Sequence, residues 1–368
     1  MTSQRYSRLL QLMKTHKIDA VVINPGATLN YLTGLHFHLM ERPVLLICKP
    51  GVQPVLVLPE LELGKTAKSA IPVTPFTFGD DPSTWLAVIQ RALISLSLEK
   101  SVIGVEPTRL RYMEIDLLQK SAPAIKFANG EAIFNWLRIQ KDAGEIEEMR
   151  KAVQIAQNAL AATLPEIHAG VTENQIASRL TIEMLKAESA TELPFQPIVA
   201  SGPNSANPHA VPTDRVLENG DLLVIDWGAT YGDYFSDLTR TFAIGSISDE
   251  LKNVYETVKA ANAAGRKAGQ PEIAAGEIDR AARAVIEKAG YGQFFTHRTG
   301  HGLGMEAHET PYMFGSNDLP LNTGMVYTVE PGIYLPGKGG VRIEDDVVVT
   351  ASGSESLSDF PRELQILS

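Results

Sequence analysis

Asp226, Asp237, His301, Glu330 and Glu344 are the residues of this chain whose types and settings could do chemistry. They stand in Asp-Trp-Gly, Ser-Asp-Leu-Thr-Arg-Thr, Gly-His-Gly-Leu-Gly, Glu-Pro-Gly and Arg-Ile-Glu-Asp. Four carboxylates bring four negative charges, which a pair of divalent cations would balance. Neutral imidazole is a common ligand for transition metals. A water shared by two such ions loses a proton near neutral pH and becomes a hydroxide nucleophile. The reaction class this set points to is metal-assisted hydrolysis.

The elements around these residues must bring them together. Asp226 ends the apolar run Leu222-Leu223-Val224-Ile225 and is followed closely by Gly228. A carboxylate at the end of a buried strand is costly unless it is paired or binds a metal. Asp237 comes 11 residues later. That distance suits a strand, a turn at Tyr231-Gly232-Asp233 and a returning strand, a hairpin that sets both aspartates at one point. His301 lies among three glycines, which let backbone approach closely. Glu330 ends the run Met325 to Val329, and Glu344 follows Val341-Arg342-Ile343. Taken singly, each has an ordinary structural explanation: a turn cap, a surface acid, a loop histidine. The order and spacing of the five together are the specific signal.

The rest of the chain reads as two regions. In the first, an amphipathic opening helix precedes Ala20 to Ile23, Pro43 to Cys48 and Pro54 to Leu58, apolar runs separated by turn signals such as Lys49-Pro50-Gly51. Trp85 to Leu98 reads as a helix, and Val102 to Val105 as a buried strand. This predicts an α/β domain with a mixed sheet. No G-x-G-x-x-G and no P-loop is present, so nothing points to nucleotide binding. A junction falls near Phe134 to Asp142. Beyond it, Ile146, Met149, Val153, Ala156 and Leu160 mark a helix face. Thr172-Glu173-Asn174-Gln175 is a capping box opening another helix. Leu251 to Ala268 and Glu277 to Ala289 are two more. Leu222 to Asp226, Asp237 to Ala243, Met325 to Val329 and Asp346 to Val349 read as strands. Helices and strands in blocks predict an α+β domain.

With its gaps of 11, 64, 29 and 14 residues, the set Asp226, Asp237, His301, Glu330, Glu344 resembles the ligand set of the pita-bread metallopeptidases: methionine aminopeptidases, prolidase and aminopeptidase P. The resemblance is strongest over roughly 135–368. Residues 1–134 resemble the small N-terminal domain of prolidase, aminopeptidase P and creatinase, which methionine aminopeptidases lack. It implies an α+β chain of two domains, 1–134 creatinase/prolidase-like and 135–368 pita-bread. It also implies two divalent metal ions per subunit, manganese first, with cobalt, zinc or iron able to serve. Asp226 would chelate one ion, Asp237 and Glu344 would bridge, and His301 and Glu330 would hold the other. His209 in Pro-His-Ala, His297 four residues before His301, His308 in Ala-His-Glu and Arg342 two residues before Glu344 match residues that surround substrate in proline-directed members. On that resemblance Glu330 is the general base, His308 and His209 stabilise the oxyanion, and His297, Arg342 and His209 bind substrate.

The implied activity is hydrolysis of the bond before proline, with an Xaa-Pro dipeptidase first and an Xaa-Pro aminopeptidase on longer peptides as the alternative. An Xaa-Pro bond has no N–H, so a site that demands none and fits a pyrrolidine ring can accept it; the fixed φ of proline pre-organises the substrate. A creatinase-like C–N hydrolase and a non-catalytic pita-bread peptide binder are the other classes. Both typically lack the intact ligand set that this chain keeps. The segment Leu35 to Arg42, with His36 and His38, reads either as a polar loop or as a loop reaching a partner subunit's active site, as the family's N-terminal domains do; the resemblance implies a homodimer.

Bulk properties agree. The 368 residues carry a net charge of −10, against a nucleic-acid partner, which usually meets a basic stripe. Cys48 is the only cysteine, so no intrachain disulfide can form and cysteine-based zinc sites are excluded. No apolar run reaches the roughly 20 residues that span a bilayer, and the N-terminal stretch has no long apolar core of a signal peptide. A cytoplasmic protein is expected.

Overall fold

The computed structural model describes residues 2–368. The chain divides into two compact units, Met1–Arg138 and Ile139–Ser368. The division comes at the end of the helix Glu131–Arg138.

The first unit is built on a six-stranded mixed sheet. Its order is Thr74–Phe78, Val55–Pro59, Leu45–Cys48, Ala20–Ile23, Val102–Val105, Lys126–Asn129. The apolar runs read from sequence are its four inner strands, and every residue of Ala20–Ile23, Leu45–Cys48 and Val55–Pro59 is buried. Helix Trp85–Ser95 lays Val88, Ile89, Ala92 and Leu93 on this sheet. It stops short of Leu98 because Ser97 turns to φ 50°. The two edge strands had no sequence signal. Thr74–Phe78 contains Pro75 and is largely exposed at its start. Proline cannot donate to a ladder and is tolerated at such an edge. His36 and His38 are both exposed between Gly34 and Leu45.

The second unit repeats one pattern of elements, a helix pair followed by strands, that no sequence repeat betrays. Helices Ala143–Thr163 and Glu173–Lys186 precede Ile198–Ser201, Leu222–Trp227 and Leu238–Ile244. These strands, with Ile366–Leu367, form a four-stranded sheet. Helices Asp249–Ala268 and Gly276–Lys288 precede Gly300–Gly302, Glu309–Met313, Val326–Val329 and Asp345–Thr350. With Gly353–Ser356 these make a five-stranded sheet. The helix starts follow their caps. Asp142 and Glu145 bond reciprocally at 3.0 and 2.7 Å, and Thr172 and Gln175 do the same at 3.2 and 2.9 Å.

Two glycines allow the sheet to close around His301. A Cβ at Gly300 would stand 1.9 Å from the Thr328 carbonyl oxygen, and one at Gly265 would meet a methyl of Val329 at 2.7 Å. The first glycine lets the His301 strand lie against the strand that leads to Glu330. The second lets helix Asp249–Ala268 press on that same strand. Among the described residues no helix is long and apolar enough to cross a membrane.

Candidate active site

The hairpin expected around Asp226 and Asp237 is present. Leu222–Trp227 and Leu238–Ile244 run antiparallel, with Asp226 opposite Thr239 and Trp227 opposite Leu238. Asp237 sits one residue before its strand begins. From the other sheet come His301, in the middle of its three-residue strand, Glu330, just past Val329, and Glu344, just before Asp345. The sheets are stitched where Glu344 bridges to Thr239.

The five side chains converge. One ligand atom from each of Asp237, His301 and Glu344 lies within 4.8 Å of the other two. His301 Nε2 is 3.2 Å from Glu330 Oε1 and 3.7 Å from Asp237 Oδ2. The other ring nitrogen, Nδ1, is 3.1 Å from the Gly302 carbonyl oxygen. A carbonyl only accepts, so Nδ1 donates there, which leaves Nε2 turned toward the acids. That is the orientation a metal-ligating imidazole needs.

Electrostatics tests whether the cluster fits cations. Burial, then Glu344 and Asp226, push the Asp237 carboxyl well above its ordinary range. Burial, then Glu330 and Asp226, do the same to Glu344. Asp226 is raised by burial although Arg342 opposes the shift. Burial works upward on Glu330 too, but the His301 hydrogen bond and the charges of His301, His297 and Arg342 outweigh it, and Glu330 falls to about 2. The cluster thus holds more negative charge than its own cations offset. Asp226 Oδ1 is buried with no hydrogen-bond partner. Buried acids persist when paired or bound to metal. Oxygen-rich donors, one imidazole and uncompensated negative charge fit divalent cations.

All nine residues nominated from sequence line one cavity of about 580 Å³. His209 and His308 are exposed at its rim, while Arg342 is buried in its wall. Arg342 donates to Asp226 Oδ2 at 2.5 Å, to Thr239 Oγ1 at 3.0 Å, to the Tyr334 hydroxyl at 2.9 Å and to the Pro208 carbonyl at 3.1 Å. It therefore orients Asp226 directly and reaches Glu344 only through Thr239. His297 has both nitrogens engaged, Nδ1 with the Arg298 carbonyl at 2.7 Å and Nε2 with the Tyr334 hydroxyl at 2.9 Å. Its imidazole is held below the ordinary range by burial. Partial burial, then His301 and Arg298, lower His308 as well. The His301 and His308 rings lie with centroids 4.0 Å apart.

Several site residues escaped the sequence reading. Thr239 joins Arg342 to Glu344, and Tyr334 joins Arg342 to His297. Phe195, Gln196, Ile198, Ala307 and Arg298 also line the cavity. Asp346 accepts the Asp237 amide at 3.1 Å. Only Thr239 had a usable signal: it is two residues from Asp237, hence on the same face of the strand.

The geometry, a two-sheet scaffold with a buried acid–imidazole cluster at its seam, is that of a metallohydrolase. The description "Metallopeptidase family M24" matches residues 147–351, and "Creatinase/Prolidase N-terminal domain" matches residues 5–140. The chain belongs to metallopeptidase family M24, with the two-domain, pita-bread architecture. It is 37% identical over 363 residues to an Xaa-Pro dipeptidase of Pyrococcus horikoshii, covering 98% of this chain and 99% of that one. A solved dipeptidase structure from Pyrococcus horikoshii superposes with a TM-score of 0.93 at 36% identity, covering 99% and 100% of the two chains. A solved X-Pro aminopeptidase of Thermotoga maritima gives 0.86 at 33% identity over 98% and 99%.

Proposed function

We propose that this protein hydrolyses the peptide bond before proline in Xaa-Pro dipeptides, using two divalent cations held by Asp226, Asp237, His301, Glu330 and Glu344. One observation carries the reading: these five residues and His209, His297, His308 and Arg342 face a single cavity. The full-length likeness to a relative named Xaa-Pro dipeptidase supports the choice of substrate.

When bound, the cations supply Lewis acidity, polarising the scissile carbonyl and acidifying water. The chain's own residues do the rest. Glu330, ionised at neutral pH, takes a proton as general base. His308, kept neutral by its surroundings, donates a hydrogen bond to the oxygen on which charge develops, aided by His209. His297, with both nitrogens committed, offers its ring to the pyrrolidine. Arg342 fixes Asp226 and binds the proline end of the substrate.

Manganese is the cation we assign first, because an oxygen-rich set with one imidazole suits it; cobalt, zinc and iron fit the same donors. A homodimer is supported by the family resemblance and by the exposed His36 and His38. A cytoplasmic location is supported by the lone, buried Cys48. An Xaa-Pro aminopeptidase is the second reading, favoured by the likeness to the Thermotoga maritima enzyme. The complete ligand set stands against a non-catalytic binder. A panel of one Xaa-Pro dipeptide against Xaa-Pro-Yaa tripeptides and longer peptides tests the choice. Cleavage confined to the dipeptide is expected. Faster cleavage of longer peptides would replace dipeptidase with aminopeptidase.

A further inference from the structure

We propose that Glu173 is a positioning residue for His209, cinching the base of the loop that carries it. The inference rests on the function proposed above, in which His209 meets substrate. Glu173 opens the helix Glu173–Lys186, and in the sequence it is only the first helical residue of a capping box. Its carboxylate is fully buried, yet it touches no residue of the metal cluster. Instead it collects donors from both flanks of the His209 loop. On one side Ser201 donates its amide and hydroxyl to Oε1 at 2.7 and 2.8 Å, and Asn204 Nδ2 shares its protons between both oxygens at 3.2 Å. On the other side Thr213 donates its amide and hydroxyl to Oε2 at 3.0 and 2.7 Å. His209 lies between these two anchorages.

The cinch matters because the His209 ring takes its place from the backbone that carries it. Among the described residues no hydrogen bond holds its imidazole, and the ring stands exposed at the cavity rim. Its place is set by the backbone alone. That backbone is continuous with the cinched ends: the His209 amide donates to Asn207 Oδ1 at 3.1 Å, and the Asn207 amide to the Asn204 carbonyl at 3.0 Å. The neighbouring Pro208 carbonyl accepts from Arg342, which ties the loop to the cavity wall. A carboxylate is the one side chain of this size that only accepts, on both oxygens. An amide would present an N–H₂ to the donors of one flank and free that flank.

The test compares Glu173→Gln, Thr213→Val, His209→Ala and the Glu173→Gln/His209→Ala double variant in the metal-loaded protein. Thr213 is exposed, so its variant folds even if Glu173→Gln does not. Each of the first two lowers kcat/KM on an Xaa-Pro dipeptide, Glu173→Gln on the order of 10- to 100-fold as expected for a displaced substrate contact. Metal affinity stays at the wild-type value, and amide exchange quickens across 201–213 in the metal-free protein. The double variant is no slower than His209→Ala alone. Additive losses in the double variant, wild-type kinetics in Thr213→Val, or a harmless His209→Ala would each overturn the proposal. Wild-type protein that splits no Xaa-Pro peptide would instead sink the proposed function.

Discussion

Thr239 and Glu344 are bonded twice: the Glu344 amide donates to the Thr239 carbonyl at 3.0 Å, and the Thr239 hydroxyl donates to Glu344 Oε2 at 2.6 Å. Thr239 belongs to the four-stranded sheet and Glu344 leads into the five-stranded one. One threonine thus sews the sheets together at the acid–imidazole cluster and aims one of its carboxylates. The same hydroxyl accepts from Arg342 Nε, which holds Asp226 with its other arm. Two carboxylates of the cluster, from different sheets, are thereby placed by one hydroxyl.

Thr239→Val keeps the shape and the backbone bond and removes the two bonds of the hydroxyl, to Glu344 and from Arg342. It should weaken metal binding and kcat/KM by about 10- to 100-fold, the usual effect of losing a partner behind a ligand. Thr239→Ser should retain most of both. Metal titration followed by calorimetry, with parallel kinetics, checks this; equal losses in the serine variant would show that packing matters rather than the hydroxyl.

The cluster's excess negative charge makes the metal-free protein the strained form. Adding a divalent cation should raise the melting temperature progressively, with a gain of about 2.7 kcal/mol at a hundredfold excess over Kd. Asp237→Asn should reverse the pattern: the metal-free variant melts higher than metal-free wild type, because a repelling charge is gone, and the metal-induced rise shrinks. Thermal melts with and without chelator read both signs.

Lys141 and Glu309 form a buried ion pair at 2.5 Å, with side chains 2% and 7% exposed. Glu309 follows His308 directly, so the pair anchors the segment that presents that histidine. Lys141→Met removes the buried cation that faces the Glu309 carboxylate and should cost about 3–5 kcal/mol in urea unfolding. Lys141→Met with Glu309→Leu should recover much of that loss. A double variant as unstable as the single would place the cost in packing.

Much of the site was legible in sequence because its residues sit in settings that ordinary packing does not need. An acid that closes an apolar strand, or a histidine among three glycines, is visible without coordinates. The inner strands of the first unit were legible for a related reason: they are buried on both faces and read as unbroken apolar runs. Its edge strands were not, since an exposed strand with Pro75 has neither alternation nor an apolar run. What stayed hidden were pairings made over long separations. Arg240 donates to Asp345 at 2.9 Å, and both are buried behind Glu344, yet 105 residues separate them. Tyr334, which links Arg342 to His297, carries no local mark at all. The four hydrogen bonds of the Arg342 guanidinium likewise follow from how two sheets meet, which no local pattern records.

The most direct test of the account is hydrolysis of an alanyl-proline dipeptide by metal-stripped protein as Mn²⁺ is titrated back. The prediction is no cleavage without metal, activity that rises to a plateau at about two ions per chain, as expected of a two-metal site, and none in Asp237→Ala at any metal concentration. Protein that holds two ions per chain and still leaves the dipeptide intact would contradict it.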